Sequence, residues 1–402
     1  MDKKIKIYAE ILEDEALKQF NDAMELECNV QGALMPDAHT GYTLPIGAVI
    51  KSKGKIFPSY VGYDIGCGMC GVKLDIYKKD LDLERLKQFI LETIPLGSSR
   101  HHKAQDCEID SLDRVSSFTK NKFEQMGRFQ IGTLGGGNHF IELGTAKDEK
   151  VWIIIHSGSR GFGHKIAEYY MKLAVTKSID RSIFSKEFED KNQDFKKYNP
   201  NGFEKSKIKY IDRSIEKYLK NSLEGHYALD INSQDGQDYI SDMNCALEFA
   251  LANRKAMIEK IVSHLENPKE LMFINTNHNH AEMLEDDFVI HRKGATHANL
   301  GYYGVIPGNM KDGSFVVIGK GCKESLNSSS HGAGRVLSRK QAKLKLDLDE
   351  FHESMREIVT NHSDDTLDES EKAYKNIFEV MELQKDLLEV VDHVKPFLNI
   401  KG

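Results

Sequence analysis

Apolar positions give the first outline of this chain. Residues 44–50 and 71–76 are β-like, and residues 81–93 show the three- and four-residue spacing of a helix. Residues 1–150 therefore read as strands with short helices. The run Val151-Trp152-Ile153-Ile154-Ile155 predicts a buried strand that leads straight into His156-Ser157-Gly158-Ser159-Arg160-Gly161. Residues 185–265 differ in character. They are rich in lysine and glutamate, poor in glycine, and carry an amphipathic pattern over residues 245–264 that predicts one long helix. Strand-like segments return over residues 271–318. The C-terminal third reads as helical up to about Val394, followed by a strand-like tail, Phe397-Leu398-Asn399-Ile400.

Segments rich in glycine and histidine lie on both sides of the helical section, with no internal repeat and no clear linker. One site therefore draws on the whole length. That favours a single large α/β domain over residues 1–402, with a helical insertion at 185–265, rather than separate modules. At 402 residues, with 40% hydrophobic and 29% charged positions, the chain can bury a substantial core. No apolar stretch approaches 18 residues, so no membrane span is expected. Met1-Asp2-Lys3-Lys4-Ile5 lacks the apolar segment of a signal peptide, and six scattered cysteines do not form a disulfide framework. Both point to a reducing, cytoplasmic compartment.

The net charge of −7 gives no hint of a polyanionic partner, so any nucleic-acid surface must be local. Residues 311–345 hold eight Lys/Arg against two acids, about +6, around glycine turns and a histidine, as phosphate handling requires. Residues 347–372 hold ten acids against two bases, about −8, and read as a solvated helical face.

Four motifs carry candidate chemistry. Val61-Gly62-Tyr63-Asp64-Ile65-Gly66-Cys67-Gly68-Met69-Cys70-Gly71 sets a carboxylate and two thiols among glycines. Asp64 and Cys67 suit one cation, and a thiolate can bridge two. Cys67 and Cys70 also resemble half a zinc ribbon, whose second CxxC is missing, or a redox pair; a structural turn is the bland alternative. Gly132-Thr133-Leu134-Gly135-Gly136-Gly137-Asn138-His139-Phe140-Ile141-Glu142 is a glycine loop suited to phosphates that ends in an imidazole. His156 at a strand end is either a ligand or a satisfied core histidine. Asn277-His278-Asn279-His280 places two imidazoles on one face if the segment is extended, whereas in a loop either binds metal.

Asp64, Cys67, His139, His156 and His278 form a mixed oxygen, sulfur and nitrogen set. Two adjacent divalent ions bridged by the thiolate would use all five, and the mixture suits manganese or zinc. Ser328-Ser329-Ser330-His331-Gly332-Ala333-Gly334-Arg335 is followed by Ser338-Arg339. A helix beginning near Gly332 would put Arg335 and Arg339 on one face toward phosphate oxygens, with His331 as nucleophile toward phosphorus. The bland alternative is a helix N-terminus with a surface histidine. The Walker P-loop and the Lys-x-Asp-Gly motif are both absent, so a lysine–nucleotide adduct is not expected.

With these motifs in order, the chain resembles the RtcB RNA ligases nearly end to end. The resemblance includes Met35-Pro36-Asp37-Ala38-His39, Pro45-Ile46-Gly47, Arg292-Lys293-Gly294-Ala295, Ile306-Pro307-Gly308 and the terminal Ile400-Lys401-Gly402. It implies a single RtcB-like domain of layered β-sheets and helices. It also implies joining of RNA 2′,3′-cyclic-phosphate or 3′-phosphate ends to 5′-hydroxyl ends with GTP and two manganese ions, as in RNA splicing or repair. Asp64, Cys67, His139, His156 and His278 then match the metal ligands, with Cys67 shared, and His331 matches the guanylylated histidine. Nucleotide contacts fall on Asn138, His139, Phe140, Ile141, Glu142, His278, Asn279, Pro307, Gly308, Asn309, Met310, Ser314, His331, Gly332, Ala333, Gly334 and Lys401, with Glu142 and Lys401 toward the base. Arg160, Lys293, Arg335 and Arg339 match basic residues near RNA phosphates, and archease is a candidate activating partner. Asn309 stands where many members have serine, and His280 where tyrosine is usual. The rival readings are a dinuclear phosphoesterase, which needs neither His331 nor Lys401, and a non-catalytic RNA-binding protein.

Overall fold

A computed structural model describes residues 3–221, 225–361 and 363–402. Two larger sheets organise the mixed α/β fold. One has five strands in the order Lys4–Ile7, Asn29–His39, Ile46–Lys53, Phe288–Lys293 and Asn279–Met283. The other runs Tyr303–Pro307, Ser314–Gly319, Leu388–Lys401, Phe140–Thr145, Lys150–Ser157, Gly68–Tyr77 and Glu270–Asn277, with Val359–Thr360 paired beside Leu388–Lys401.

The apolar run at residues 151–155 becomes part of the strand Lys150–Ser157, which is covered on both faces. Val151, Ile153 and Ile155 pack with Met257, Ile258 and Ile261 of the helix Gln234–His264. Trp152 and Ile154 alternate to the other face and meet Val305, Val316 and Val394. Burial of both faces explains why the sequence is continuously apolar rather than alternating. Replacing the fully buried Trp152 by alanine would cost about 3–5 kcal/mol of stability.

Residues 185–265 are mostly helical, in Arg181–Lys191, Gln193–Tyr198, Pro200–Asn221 and Gln234–His264, with one short strand, Leu229–Asp230. The last helix has 31 residues and begins well before residue 245. It is not peripheral, because its buried face underlies the large sheet.

The C-terminal reading needs correction. Helices end with Ile377–Leu383, and residues 388–401 form one 14-residue strand in the interior of the large sheet. Its register with Ser314–Gly319 and Phe140–Thr145 supplies hydrogen-bond partners on both sides, which overrides local helical periodicity. A second correction concerns residues 331–338. They form a loop, with Gly334 at φ 76°, and the helix starts only at Arg339, capped by Ser338 accepting from Gln341 N at 3.3 Å.

Candidate active site

Strand register assembles the site. Gly68 is in register with Ser157 on one neighbour and Asn277 on the other, so Cys67, His156 and His278 sit at the same end of three adjacent strands. His139 precedes Phe140, which pairs with both His156 and Lys401. Residues 67, 139, 156, 278 and 401 are thereby gathered at one end of adjacent strands. Asp64 reaches the same place from the turn before Cys67, while Met126 and Gln130 pack against Gly161, and Ala246 of the helix Gln234–His264 against Gly163, in the segment after His156.

The candidate ligands converge as two groups that share Cys67. One is Cys67, His156 and His278; the other is Asp64, Cys67 and His139, each with donor atoms within 4.8 Å of one another. Cys67 Sγ is 3.2 Å from His156 Nε2 and 3.4 Å from His139 Nε2. His156 Nε2 lies 3.3 Å from His278 Nε2, and His139 Nε2 lies 3.1 Å from Asp64 Oδ2. His139 Nδ1 is 3.0 Å from Leu134 O, and His156 Nδ1 is 3.1 Å from Asn138 O. A carbonyl can only accept, so each Nδ1 carries the proton and each Nε2 presents a lone pair to the cluster. Burial, with neighbouring cationic groups, holds His156 and His278 well below the ordinary histidine range, so they stay neutral as ligands must. Burial and the Asp64 carboxylate push the Cys67 thiol well up; a divalent cation would reverse that by binding the thiolate. The donor set and its fixed tautomers could hold two divalent transition-metal ions sharing one sulfur, with Asp64 and the imidazoles suiting manganese as well as zinc.

Cys70 is not part of this cluster. Its thiol donates to Asn275 Oδ1 at 3.2 Å, and its side chain packs in the core under the sheet. Cys67 Sγ faces the histidines while Cys70 Sγ is turned to Asn275, so the two thiols do not meet as a pair. His278 and His280 also part company. His278 occupies the break between two strands, whereas His280 Nε2 lies 3.0 Å from His297 Nε2 and 3.3 Å from Arg292 Nη1.

His331 follows the short strand Ser328–Ser330, and its ring centroid is 4.7 Å from that of His278. His331 Nδ1 donates to Asp37 Oδ2 at 2.7 Å, and the backbone N–H groups of His331 and Gly332 donate to the same oxygen at 3.1 and 3.3 Å. Asp37 is fully buried. Burial works to raise its carboxyl, but the attached His331 and nearby His39 outweigh that and leave it below the ordinary range. With Nδ1–H committed, His331 Nε2 carries the free lone pair.

On the other side of His331 lies a cavity of about 290 Å³. Of the residues expected around the nucleotide, Asn138, Phe140, Glu142, Pro307, Gly308, Asn309, Met310, His331, Gly332, Ala333, Gly334 and Lys401 line it. Others do not. His139 and His278 belong to the Asp64/Cys67/histidine cluster, and Asn279 lines the adjacent groove while its Nδ2 donates to Asp64 O at 3.1 Å. Ile141 points into the core, because it alternates with the cavity-facing Phe140 and Glu142. Ser314 is buried beside Glu142 rather than on the wall. Asn309 reaches the wall but its amide is spent on its own turn, donating to Asp312 Oδ2 at 2.6 Å and accepting from Lys311 N and Asp312 N at 2.9 Å.

Burial raises the Glu142 carboxyl to about 8, against smaller opposing effects of Ser314, Asn399 and Lys401. Asn399 Nδ2 donates to Glu142 Oε2 at 3.4 Å, while Oε1 is buried without a partner. An acceptor left orphaned on a cavity wall is what a base with adjacent N–H donors would satisfy. Lys401 pairs instead with Glu369, and its Nζ also donates to Asn138 O at 3.4 Å. Burial opposes ionisation of Glu369, but Lys401 and Arg339 hold its carboxyl down at about 2.

The acidic run is therefore not simply a solvated face. Asp368 and Glu369 are buried against the basic segment: Arg335 Nη2 donates to Asp368 O at 2.6 Å, and Arg339 Nη1 donates to Glu369 Oε1 at 2.6 Å and also to Asp368. Arg335 and Arg339 line both cavities. Lys293 lines the larger groove, with Nζ 3.3 Å from Ser59 O. Arg160 lines neither. It sits at φ 58° and donates from Nε to Thr133 Oγ1 at 3.1 Å and from Nη2 to Gly97 O at 2.9 Å, bracing the glycine loop from below.

Sequence reasoning missed the supports. Buried Arg254 donates from Nη1 to Gly66 O at 2.9 Å and Ser157 O at 2.7 Å, and from Nη2 to Asn275 and Asn277 Oδ1 at 2.8 Å. It thus ties together the three strand ends that carry Cys67, His156 and His278. Asn253 beside it bonds Thr133, Ser157 and Gly158. The available signal was a polar Asn-Arg pair between Phe249-Ala250 and Met257-Ile258, on the apolar face of a long helix.

Comparison with known proteins agrees with this arrangement. The family profile described as "tRNA-splicing ligase RtcB" matches residues 19–117 and 108–402. The chain belongs to the RtcB family. It is 32% identical to the RNA-splicing ligase RtcB of Escherichia coli K12, over 92% of this chain and 90% of that protein. It is 28% identical to the tRNA-splicing ligase RtcB of Nanoarchaeum equitans, over 99% and 94% of the two chains. To the RNA-splicing ligase RtcB homolog 1 of Entamoeba dispar it is 28% identical, over 96% and 82%. Membership makes it an RNA ligase by family, in keeping with its His/Cys/Asp cluster. Among the described residues no helix is long and apolar enough to cross a membrane.

Proposed function

We propose that this RtcB-family chain joins RNA 3′-phosphate or 2′,3′-cyclic-phosphate ends to 5′-hydroxyl ends, using GTP and two manganese ions, with His331 as the nucleophile. The observation that carries the reading is the position of His331. Its Nδ1 is locked on Asp37, and its ring lies between the Asp64/Cys67/His139/His156/His278 cluster and the cavity lined by Glu142 and Lys401. A dinuclear phosphoesterase would need the metal ions but neither His331 nor Lys401.

His331 Nε2 attacks the α-phosphorus of GTP; the Nε2–P bond forms as the bond to pyrophosphate breaks. Asp37 stabilises the positive charge that the ring gains. An RNA 3′-phosphate oxygen then takes the guanylyl group from His331. The RNA 5′-hydroxyl attacks the activated phosphate, and GMP leaves. A cyclic-phosphate end is first opened by water. When bound, the metal ions would supply Lewis-acid charge to oxygens gaining negative charge. Asn138, Phe140 and Lys401 shape the nucleotide cavity, and Glu142 reads the base by accepting from adjacent N–H donors.

Incubation with α-radiolabelled GTP tests the proposal. Label covalently retained by the protein, and lost in His331→Ala, supports it. Ligase-free phosphoester hydrolysis, or RNA binding with no label uptake, would favour the two rival readings. Archease remains a proposed activator, tested by adding it to the same reaction.

A further inference from the structure

Tyr42 stands on the loop between the strands Asn29–His39 and Ile46–Lys53, with 67% of its surface exposed. That loop is clamped. Gln19 Nε2 donates to Gly41 O and Tyr42 O at 2.9 Å, and Gln19 Oε1 accepts from Gly41 N at 3.1 Å. Glu13 Oε2 accepts from Thr40 N at 2.8 Å and from the Thr40 hydroxyl. Glu13 at the N-cap and Gln19 within the helix Asp14–Glu25 thus hold the backbone that carries this exposed aromatic ring.

Tyr42 meets Tyr63 edge to face, with centroids 6.3 Å apart, and Tyr63 stacks on His164 at 5.0 Å and 21°. Tyr63 is the neighbour of Asp64. Tyr42 and Tyr63 line one wall of a groove of about 670 Å³, Val336 and Leu337 line it as well, and the same groove reaches Asp64, Cys67, His278 and His331. Lys293 supplies a cationic group to that groove.

We propose that Tyr42 and Tyr63 form a stacking subsite for an unpaired nucleobase at the RNA end being joined. The inference rests on the ligase reading and goes beyond it. Aromatic rings on a fixed loop stack any base, so the subsite selects for single-stranded ends rather than for sequence. An end held in a duplex has its last base already paired and stacked on its inner face, which makes it a poorer substrate.

The test uses a single-stranded RNA oligonucleotide with a 3′-phosphate and 2-aminopurine as its last base, bound to the full-length protein. Stacking quenches 2-aminopurine emission. Tyr42→Ala should abolish the quench and weaken binding by about 5- to 150-fold, the range for losing one base–aromatic stack. Tyr42→Phe should keep both. Label uptake from GTP, which involves no RNA, should be the same in all three proteins, as should the melting temperature. Unchanged quenching and affinity in Tyr42→Ala would overturn the subsite, as would a Tyr42→Phe protein as impaired as Tyr42→Ala. Wild-type protein that quenches the probe yet takes up no label would overturn the ligase reading instead, and leave the stacking subsite supported.

Discussion

Asp37 Oδ2 takes three N–H groups at once, the His331 Nδ1–H at 2.7 Å and the backbone N–H of His331 and Gly332, so one buried carboxylate fixes both the ring and the loop that carries it. Asp37→Asn keeps the volume but puts an amide where the imidazole needs an acceptor. Label uptake from GTP should fall by about 10⁴-fold, the loss seen when a tautomer-fixing carboxylate is converted to amide. His331→Ala should lose uptake altogether while retaining bound metal. Uptake in Asp37→Asn close to wild type would show that the contact is structural only.

Cys67 and Cys70 should separate cleanly. Cys67 is common to both ligand groups, whereas Cys70 is occupied with Asn275. Cys67→Ser is expected to lower metal content at both positions, and Cys70→Ser to leave it close to wild type. Elemental analysis of purified proteins decides this; equal losses would restore the two cysteines as a pair.

The Glu142 carboxyl, raised to about 8 by burial, gives nucleotide binding a pH dependence. Only the carboxylate accepts from two adjacent N–H donors, and its fraction falls tenfold for each pH unit below 8. GTP affinity should therefore rise about tenfold per unit between pH 6 and 8 and then level off. Glu142→Gln removes the titration and should flatten the profile, with weaker preference for GTP over ATP. Calorimetric titration across that range provides the check, and a flat wild-type profile would rule out ionised Glu142 as the base reader.

Arg254 serves four acceptors on three strand ends. In Arg254→Met the chain fills the space but strands those acceptors, at about 1–3 kcal/mol for each one that stays buried and unpaired. Denaturant unfolding should show a loss of several kcal/mol, with reduced metal content even in protein that remains folded. A loss below about 1 kcal/mol would mean that water replaces the guanidinium.

The sequence by itself determined the family of this protein and its candidate chemical groups. Residue types and motif order singled out Asp64, Cys67, His139, His156, His278 and His331, because the donor chemistry of a group is a property of the side chain. It also determined the apolar strand at 151–155 and the long helix after it, because local periodicity reports burial directly. Tertiary structure alone decided what those residues meet. The strand at 388–401 looked helical in part because its pairing partners lie up to about 260 residues away, and only register brings Lys401 beside Phe140. The acidic run looked solvated because no local pattern reveals that Asp368 and Glu369 close on Arg335 and Arg339. Arg254 and Asp37 escaped for the same reason: a hydrogen bond depends on where two groups end up in space, and sequence spacing is silent about that across distant strands.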